Sequence, residues 1–267
     1  MTVRGSVRGA TAGRGRGSGR ARRPWWSRLA RTTVGAIVVV ICLVLAAFGI
    51  LMAITPGAGN AKQLARREAL RHHSPYPGPK VPARFAAALE ATEDHRFAAE
   101  PGIDPVAVVR AGLSFLGGQQ NLAGATLYQQ LAKMLYTPGQ TGFTVEAKQV
   151  ALAVKLKFSY SGPEVLRMYA DVAYFGHGFY GLKRASCGYY AVRPAAMTWP
   201  QAALMAGLVQ GPSLDDPLTS PGHTRAREVH VIGRLVATGA ISQGQAGRYL
   251  KIPLSRLVAR AGQGCRP

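Results

Sequence analysis

Two apolar patterns divide the chain. From Thr32 to Ile54 no residue carries a charge and nearly all are apolar, about the ~20 positions a helix needs to cross a bilayer. From about Val81 to about Leu257 the apolar residues instead recur at three- and four-residue spacing, the signature of helices that bury one face. The spacing predicts helices over Phe85–Glu93, Pro105–Phe115, Leu127–Leu135, Val145–Phe158, Pro163–Phe175, Leu182–Tyr190, Trp199–Val209, Thr224–Thr238 and Ser242–Tyr249. Asp104-Pro105 and Thr198-Trp199-Pro200 set proline in a first turn behind a capping residue. No run alternates as a large sheet requires, and no internal repeat is present. The expected fold is mainly α, one helical domain preceded by a single N-terminal transmembrane helix. The boundaries read as a basic tail (1–31), the span (32–54), a juxtamembrane connector (55–80) with a short helix over Ala61–Arg71, the domain (81–257) and a tail (258–267).

Charge adds a direction. Arg4, Arg8, Arg14, Arg16, Arg20, Arg22, Arg23, Arg28 and Arg31 are spaced by Gly and Ser without an acid, a composition that buries no core and reads as disordered. Beside an apolar span, such arginines mark the cytoplasmic side, so the domain is expected outside the plasma (inner) membrane. Trp25 and Trp26 precede the span, where aromatic residues favour the interface. The span beside the arginines argues against nucleic acid as a partner. The formal net charge is +21, and +12 without those nine arginines, which draws the domain toward anionic headgroups and phosphate-bearing lipids. Cys42 lies in the span. Cys187 and Cys265 make no disulfide framework by themselves, their pairing stays open, and no metal-ligand spacing occurs, so no zinc site is expected.

Against 33 Lys+Arg the chain has only 12 Asp+Glu, yet Glu93, Asp94, Glu100 and Asp104 fall within Ala91–Asp104. Glu93 closes the apolar run from Phe85, so it is expected to be partly desolvated, with a raised pKa and better proton-accepting power. The plainer reading is an acid pair at a helix end.

Three blocks decide between these readings. The first is Glu93-Asp94-x-x-Phe97 with Gly102-x-Asp104. The second is Gly124-Ala125-Thr126-Leu127-Tyr128-Gln129-Gln130-Leu131-Ala132-Lys133. The third is Tyr160-Ser161-x-x-Glu164-Val165-Leu166 with Tyr169, running on into Tyr174–Gly181. In this order, over roughly Val81–Leu250, they resemble the peptidoglycan glycosyltransferases of glycosyltransferase family 51, the transglycosylase domain of bifunctional penicillin-binding proteins and of monofunctional enzymes. No Ser-x-x-Lys or Lys-Thr-Gly of a transpeptidase is present, so the monofunctional form is expected. The resemblance implies a lysozyme-like helical fold. It also implies transfer of disaccharide units from lipid II to a nascent glycan strand, with release of undecaprenyl pyrophosphate. Glu93 would be the general base, and Asp94, Phe97, Thr126, Gln129, Gln130 and Lys133 would serve substrate. Gln129 and Lys133 stand one helical turn apart, as do Thr126 and Gln130. A divalent cation at the pyrophosphate is a further family expectation, and other cell-wall synthesis proteins are possible partners.

The likeness breaks at the third motif. The family's Arg-Lys-x-x-Glu falls on Val145, Glu146 and Gln149, so an amide replaces the second carboxylate. Glu100, Ala125, Tyr128, Gly162, Arg167 and Asp171 also depart from the pattern. A glycosidase needs two carboxyls because its leaving alcohol must be protonated. Pyrophosphate needs charge stabilisation instead, for which Lys148 and Lys155, seven apart on one helical face, are candidates with Gln149 beside them. Two rivals follow: a scaffold that binds lipid II or glycan without turning it over, and a lysozyme-like glycan-cleaving enzyme.

Overall fold

The computed structural model describes residues 25–97, 126–259 and 265, with side chains from residue 33 onward. The basic tail, the helix expected over Pro105–Phe115, Glu100, Asp104 and Ser114–Ala123 lie outside the described residues. The chain forms two compact units, residues 1–47 and 48–267. Helix α1 (Trp25–Ile54) carries the apolar run, and its stretch Thr33–Ile54 is long and apolar enough to cross a membrane. Its large side chains stay uncovered, Leu43 and Ile54 at 65% and 74% exposed. A soluble core helix would bury such residues.

The second unit is helical, and among the described residues the only β feature is an isolated bridge between Tyr174 and Tyr180. Its elements are α2 (Ala61–Arg71), α3 (Ala83–Glu93), α4 (Leu127–Tyr136), α5 (Phe143–Ser159), α6 (Gly162–Val172), α7 (Leu182–Tyr190), a 3₁₀ turn (Pro194–Ala196), α8 (Trp199–Leu208), α9 (Pro221–Ala237), α10 (Gln243–Tyr249) and α11 (Leu254–Leu257). The helical spacing therefore located these elements to within a few residues. The last short helix and the 3₁₀ turn carry too few residues to register as a period.

Two helix groups organise the unit. In one, α8 packs against α3 and α9, which also pack on each other. Every residue of α8 from Pro200 to Leu208 is buried, and all but Gln201 are apolar, so α8 forms the centre of this group. In the other, α4 packs on α5 and α6, with α2 laid across α4 and α6. The stretch expected as a connector thus joins the core. Ala61, Ala65 and Ala69, four apart, fall on one face of α2, and their small side chains let that face approach closely and become buried.

Local signals explain several boundaries. Ser161 opens α6 in a reciprocal capping arrangement, its backbone amide and hydroxyl both donating to Glu164 Oε2 at 2.9 and 2.8 Å. Part of the third sequence block is therefore a helix start. α6 stops at Val172, short of the expected Phe175, because the chain turns back there to bring Tyr174 to Tyr180. Gly176 makes that turn at φ +88°, and a Cβ on it would lie 2.2 Å from Pro212 O. Only glycine combines this backbone conformation with so close an approach. Cys187 and Cys265 form a disulfide, which ties Cys265 to α7.

A candidate active-site groove

A groove of about 390 Å³ runs between the two helix groups. Its lining includes Glu93 from the end of α3, Gln129, Gln130 and Lys133 from α4, Gln149 from α5, Tyr169 from α6, and the turn after α8 at Gln210 and Pro212. Glu93 is held from two sides. Gln130 Nε2 donates to Glu93 Oε2 at 3.2 Å, and Arg227 Nη2 of α9 donates to Glu93 Oε1 at 3.1 Å. Glu93 is largely withdrawn from solvent, as expected from the sequence, and it is also ion-paired, with side-chain exposures of 13% for Glu93 and 15% for Arg227.

The orientation of Gln130 is fixed in turn. The Tyr169 hydroxyl donates to Gln130 Oε1 at 2.9 Å, so the amide's NH₂ faces Glu93. Burial, and after it the nearby Glu93 charge, hold the Tyr169 hydroxyl well above the usual tyrosine range, so it stays a neutral donor. A carboxylate offers about four lone-pair sites. With one donor on each oxygen, Glu93 retains capacity to accept a proton from a hydroxyl placed in the groove.

Neighbouring residues of the first two motifs act elsewhere. Asp94 is buried, and its Oδ2 accepts from Leu127 N at 3.0 Å, at the first turn of α4. Thr126 Oγ1 accepts from Gln129 N at 3.2 Å as the cap of the same helix. Phe97 stacks on Tyr128 with ring centroids 4.8 Å apart. These three, expected at substrate, lie outside the groove lining: Asp94 and Phe97 seat α4 against the end of α3 and the residues after it, and Thr126 caps α4. The spacing that delivers Glu93 to the groove, with Gln129 and Lys133 one turn apart, depends on that seating.

The α5 residues separate. Gln149 reaches the groove but is nearly buried, and its Nε2 donates to Thr137 Oγ1 at 2.8 Å. Lys155 does not reach it: its ammonium donates to Thr55 O at 2.6 Å, Thr55 Oγ1 at 2.8 Å and Pro56 O at 3.2 Å. Lys148 and Glu146, although on the same helix, are also absent from the lining. Lys133 is thus the cation that the described lining presents. Arg227 escaped the sequence reading because no motif marked it and 134 positions separate it from Glu93.

The described residues fit a divalent cation poorly. The lining contributes one carboxylate, already engaged by Arg227 and Gln130, and no cluster of three or more His, Cys, Asp or Glu occurs among the described residues. Hard cations such as Mg²⁺ and Ca²⁺ take several oxygen ligands.

The model of the transglycosylase family matches residues 60–236. A protein of Cupriavidus necator, provisionally named a transglycosylase, is 34% identical over 218 residues, covering 79% of this chain and 94% of its own length. Penicillin-binding protein 1F of Bacillus subtilis is 33% identical over 62% of this chain, and penicillin-binding protein 2a of Streptococcus pneumoniae 38% identical over 63%. The aligned parts are only 24% and 23% of those two proteins, so the chain spans about a quarter of their length. Penicillin-binding protein 1A of Haemophilus influenzae aligns in structure over 51% of this chain and 17% of its own, with 23% identity and a TM-score of 0.35. By the family match over most of its helical unit, the chain belongs to the transglycosylases of glycosyltransferase family 51, the glycosyltransferases of peptidoglycan synthesis.

Proposed function

We propose that this protein is a membrane-anchored peptidoglycan glycosyltransferase that polymerises lipid II, with Glu93 as the general base. The observation that carries the reading is that Glu93, Gln129, Gln130 and Lys133 line one groove. In the proposed step Glu93 takes the proton of the acceptor's 4-hydroxyl as that oxygen bonds to the donor's anomeric carbon. The bond from that carbon to the phosphate oxygen breaks, and undecaprenyl pyrophosphate leaves with the bonding pair. A sugar hydroxyl is a weak nucleophile until a positioned base removes its proton. Lys133 and the amide of Gln129 offer the growing charge on pyrophosphate a cation and a donor, while Gln130 holds Glu93.

The span Thr33–Ile54 supports a single-pass anchor, and the arginines before it support a cytoplasmic N-terminus with the catalytic domain outside the cell membrane. The partners are then lipid II, the nascent glycan strand and the bilayer, with other cell-wall synthesis proteins as further partners.

The test is polymerisation of lipid II by the purified full chain in detergent. Glu93→Gln is expected to lower turnover by about 10²–10⁴ while lipid II binding persists. Unchanged polymerisation would remove Glu93 as the base. Gln149, an amide at the family's second carboxylate, favours a second reading: a protein that binds lipid II or glycan as a scaffold. Lipid II binding by the wild type without any polymer would establish that alternative. The lysozyme-like cleavage reading is weaker, because the described lining has one carboxylate where glycoside hydrolysis uses two.

A further inference from the structure

The groove has positive charge to spare. Among the described lining residues Glu93 is the only carboxylate and Lys133 the only ammonium. Glu93 is matched by Arg227, whereas Lys133 stands in no ion pair among the described residues. Gln149, from α5, lines the same groove as a neutral brace. It is nearly buried, and its Nε2 donates to Thr137 Oγ1 at 2.8 Å. Thr137 follows the last residue of α4 and is fully buried. It donates to Lys133 O from its backbone N at 3.3 Å and from its hydroxyl at 3.5 Å. The donors therefore run in one direction, from Gln149 to Thr137 and from Thr137 to the carbonyl of Lys133. A carboxylate in place of the amide has no proton to give, and the single hydroxyl proton of Thr137 could then serve Lys133 O or the acid but not both. The packing at the end of α4 thus suits an amide, and the amide adds no negative charge to the groove.

We propose that this transferase works without a divalent cation: Lys133 meets the charge of the leaving pyrophosphate, and Gln149 withholds the second negative charge that would draw a metal ion into the groove. The inference rests on the reading of the groove as the lipid II site. Hard dications are held by several oxygen ligands, with carboxylates supplying the counter-charge. Glu93 already has a donor on each oxygen, and the carbonyl oxygen of an amide carries no charge to offset a dication. An unpaired ammonium in the same groove adds repulsion, which is stronger there than in bulk water. Pyrophosphate, in contrast, brings the negative charge that Lys133 lacks. The substitution of amide for acid at residue 149 therefore changes which cation serves the leaving group, and leaves the proton transfer to Glu93 as it was.

The experiment is lipid II polymerisation by the full chain in detergent, dialysed against EDTA and assayed with and without millimolar Mg²⁺ or Mn²⁺. Wild-type kcat is expected to stay within about twofold across these conditions. Lys133→Met should lose about 10²–10³ in kcat in EDTA. Gln149→Glu supplies the withheld charge, so its kcat in EDTA should fall about tenfold or more and return when Mg²⁺ or Mn²⁺ is added. A second readout is independent of activity: titration of the full chain with Mn²⁺ in the absence of lipid II, followed by electron paramagnetic resonance of the free ion. Gln149→Glu should bind about one ion per chain more than the wild type. A wild-type loss of about tenfold or more in EDTA that Mg²⁺ or Mn²⁺ restores overturns the proposal, and this arm decides it even if Gln149→Glu folds poorly. A Gln149→Glu protein that polymerises at the wild-type rate in EDTA and takes up no extra Mn²⁺ overturns the part given to Gln149. Failure of the parent reading looks different: the wild type then makes no polymer with or without either cation, and the proposal falls with it.

Discussion

The ammonium of Lys155 closes on Thr55, donating to its carbonyl at 2.6 Å and its hydroxyl at 2.8 Å. Thr55 directly follows the apolar helix α1, and its hydroxyl also donates back to Leu51 O at 2.9 Å. Lys155 therefore satisfies carbonyls at the end of α1, a place where a cation is also favoured by the helix dipole. Lys155→Met should lower stability by about 1–3 kcal/mol, through loss of charge-assisted bonds to partly buried acceptors. Thermal unfolding in detergent measures this. KM for lipid II should stay within about twofold; a tenfold rise would return Lys155 to the substrate.

Asp94 and Glu93 are neighbours with opposite duties. Glu93 faces the groove, and Asp94 is 6% exposed and bonded to Leu127 N at the start of α4. Asp94→Ala should destabilise the protein by about 1–2 kcal/mol, the range for a lost helix-capping acceptor. It should also lower turnover, because Gln130 and Lys133 ride on α4. Asp94→Asn, which keeps an acceptor oxygen, should recover most of both. If Asp94→Ala changed activity with no loss of stability, direct contact with substrate would be the better account.

Glu93, Gln129, Gln130 and Lys133 could be singled out because they sit in short motifs that resemble the family's, with Gln129 and Lys133 one helical turn apart. Asp94, Phe97 and Thr126 belong to the same motifs, yet a motif does not say which of its members face solvent and which hold two helices together. The bonds to Leu127 N and the stack on Tyr128 appear only once α3 and α4 are packed. Lys148 and Lys155 share a helical face, but helical geometry alone does not say that this face turns from the groove, with Lys155 closing on Thr55. Arg227 carried no local signal, since its meaning comes from a contact across 134 positions. The helices themselves were legible because their periodicity is local. α2 was the exception in role: its alanines are too weakly apolar to announce a buried face, although all three of Ala61, Ala65 and Ala69 are buried.

The Cys187–Cys265 disulfide closes a loop across 78 positions. Closing a loop of that length removes much freedom from the unfolded chain, and native bridges of this kind typically contribute about 2–4 kcal/mol. Cys265→Ser, or a reducing agent on the wild type, should lower the unfolding temperature. The two effects should not add when combined. Cys42 is unpaired, so Cys42→Ser should respond to reductant as the wild type does.

Asp171 gives a pH dependence with a definite sign. Burial raises its carboxyl to about 6, against the opposing hydrogen bond from Gly78 N and the Arg167 charge. Gly78 N donates to Asp171 Oδ2 at 3.0 Å, and Arg167 Nη2 donates to Gly78 O at 2.6 Å, so the acid pins the chain that leads into α3. A carboxyl whose folded pKa lies above its unfolded value of 3.8 binds its proton more tightly when folded. Its contribution is therefore complete below about pH 4 and is lost as pH rises through about 6. The loss is at most about 3 kcal/mol. Asp171→Asn keeps an oxygen for Gly78 N and cannot ionise. The wild type should thus lose stability relative to Asp171→Asn between about pH 4 and pH 7, and the difference should level off above that. Urea unfolding of both proteins across that range measures it. Parallel stability curves would mean that Asp171 titrates in the folded protein as it does in the unfolded one.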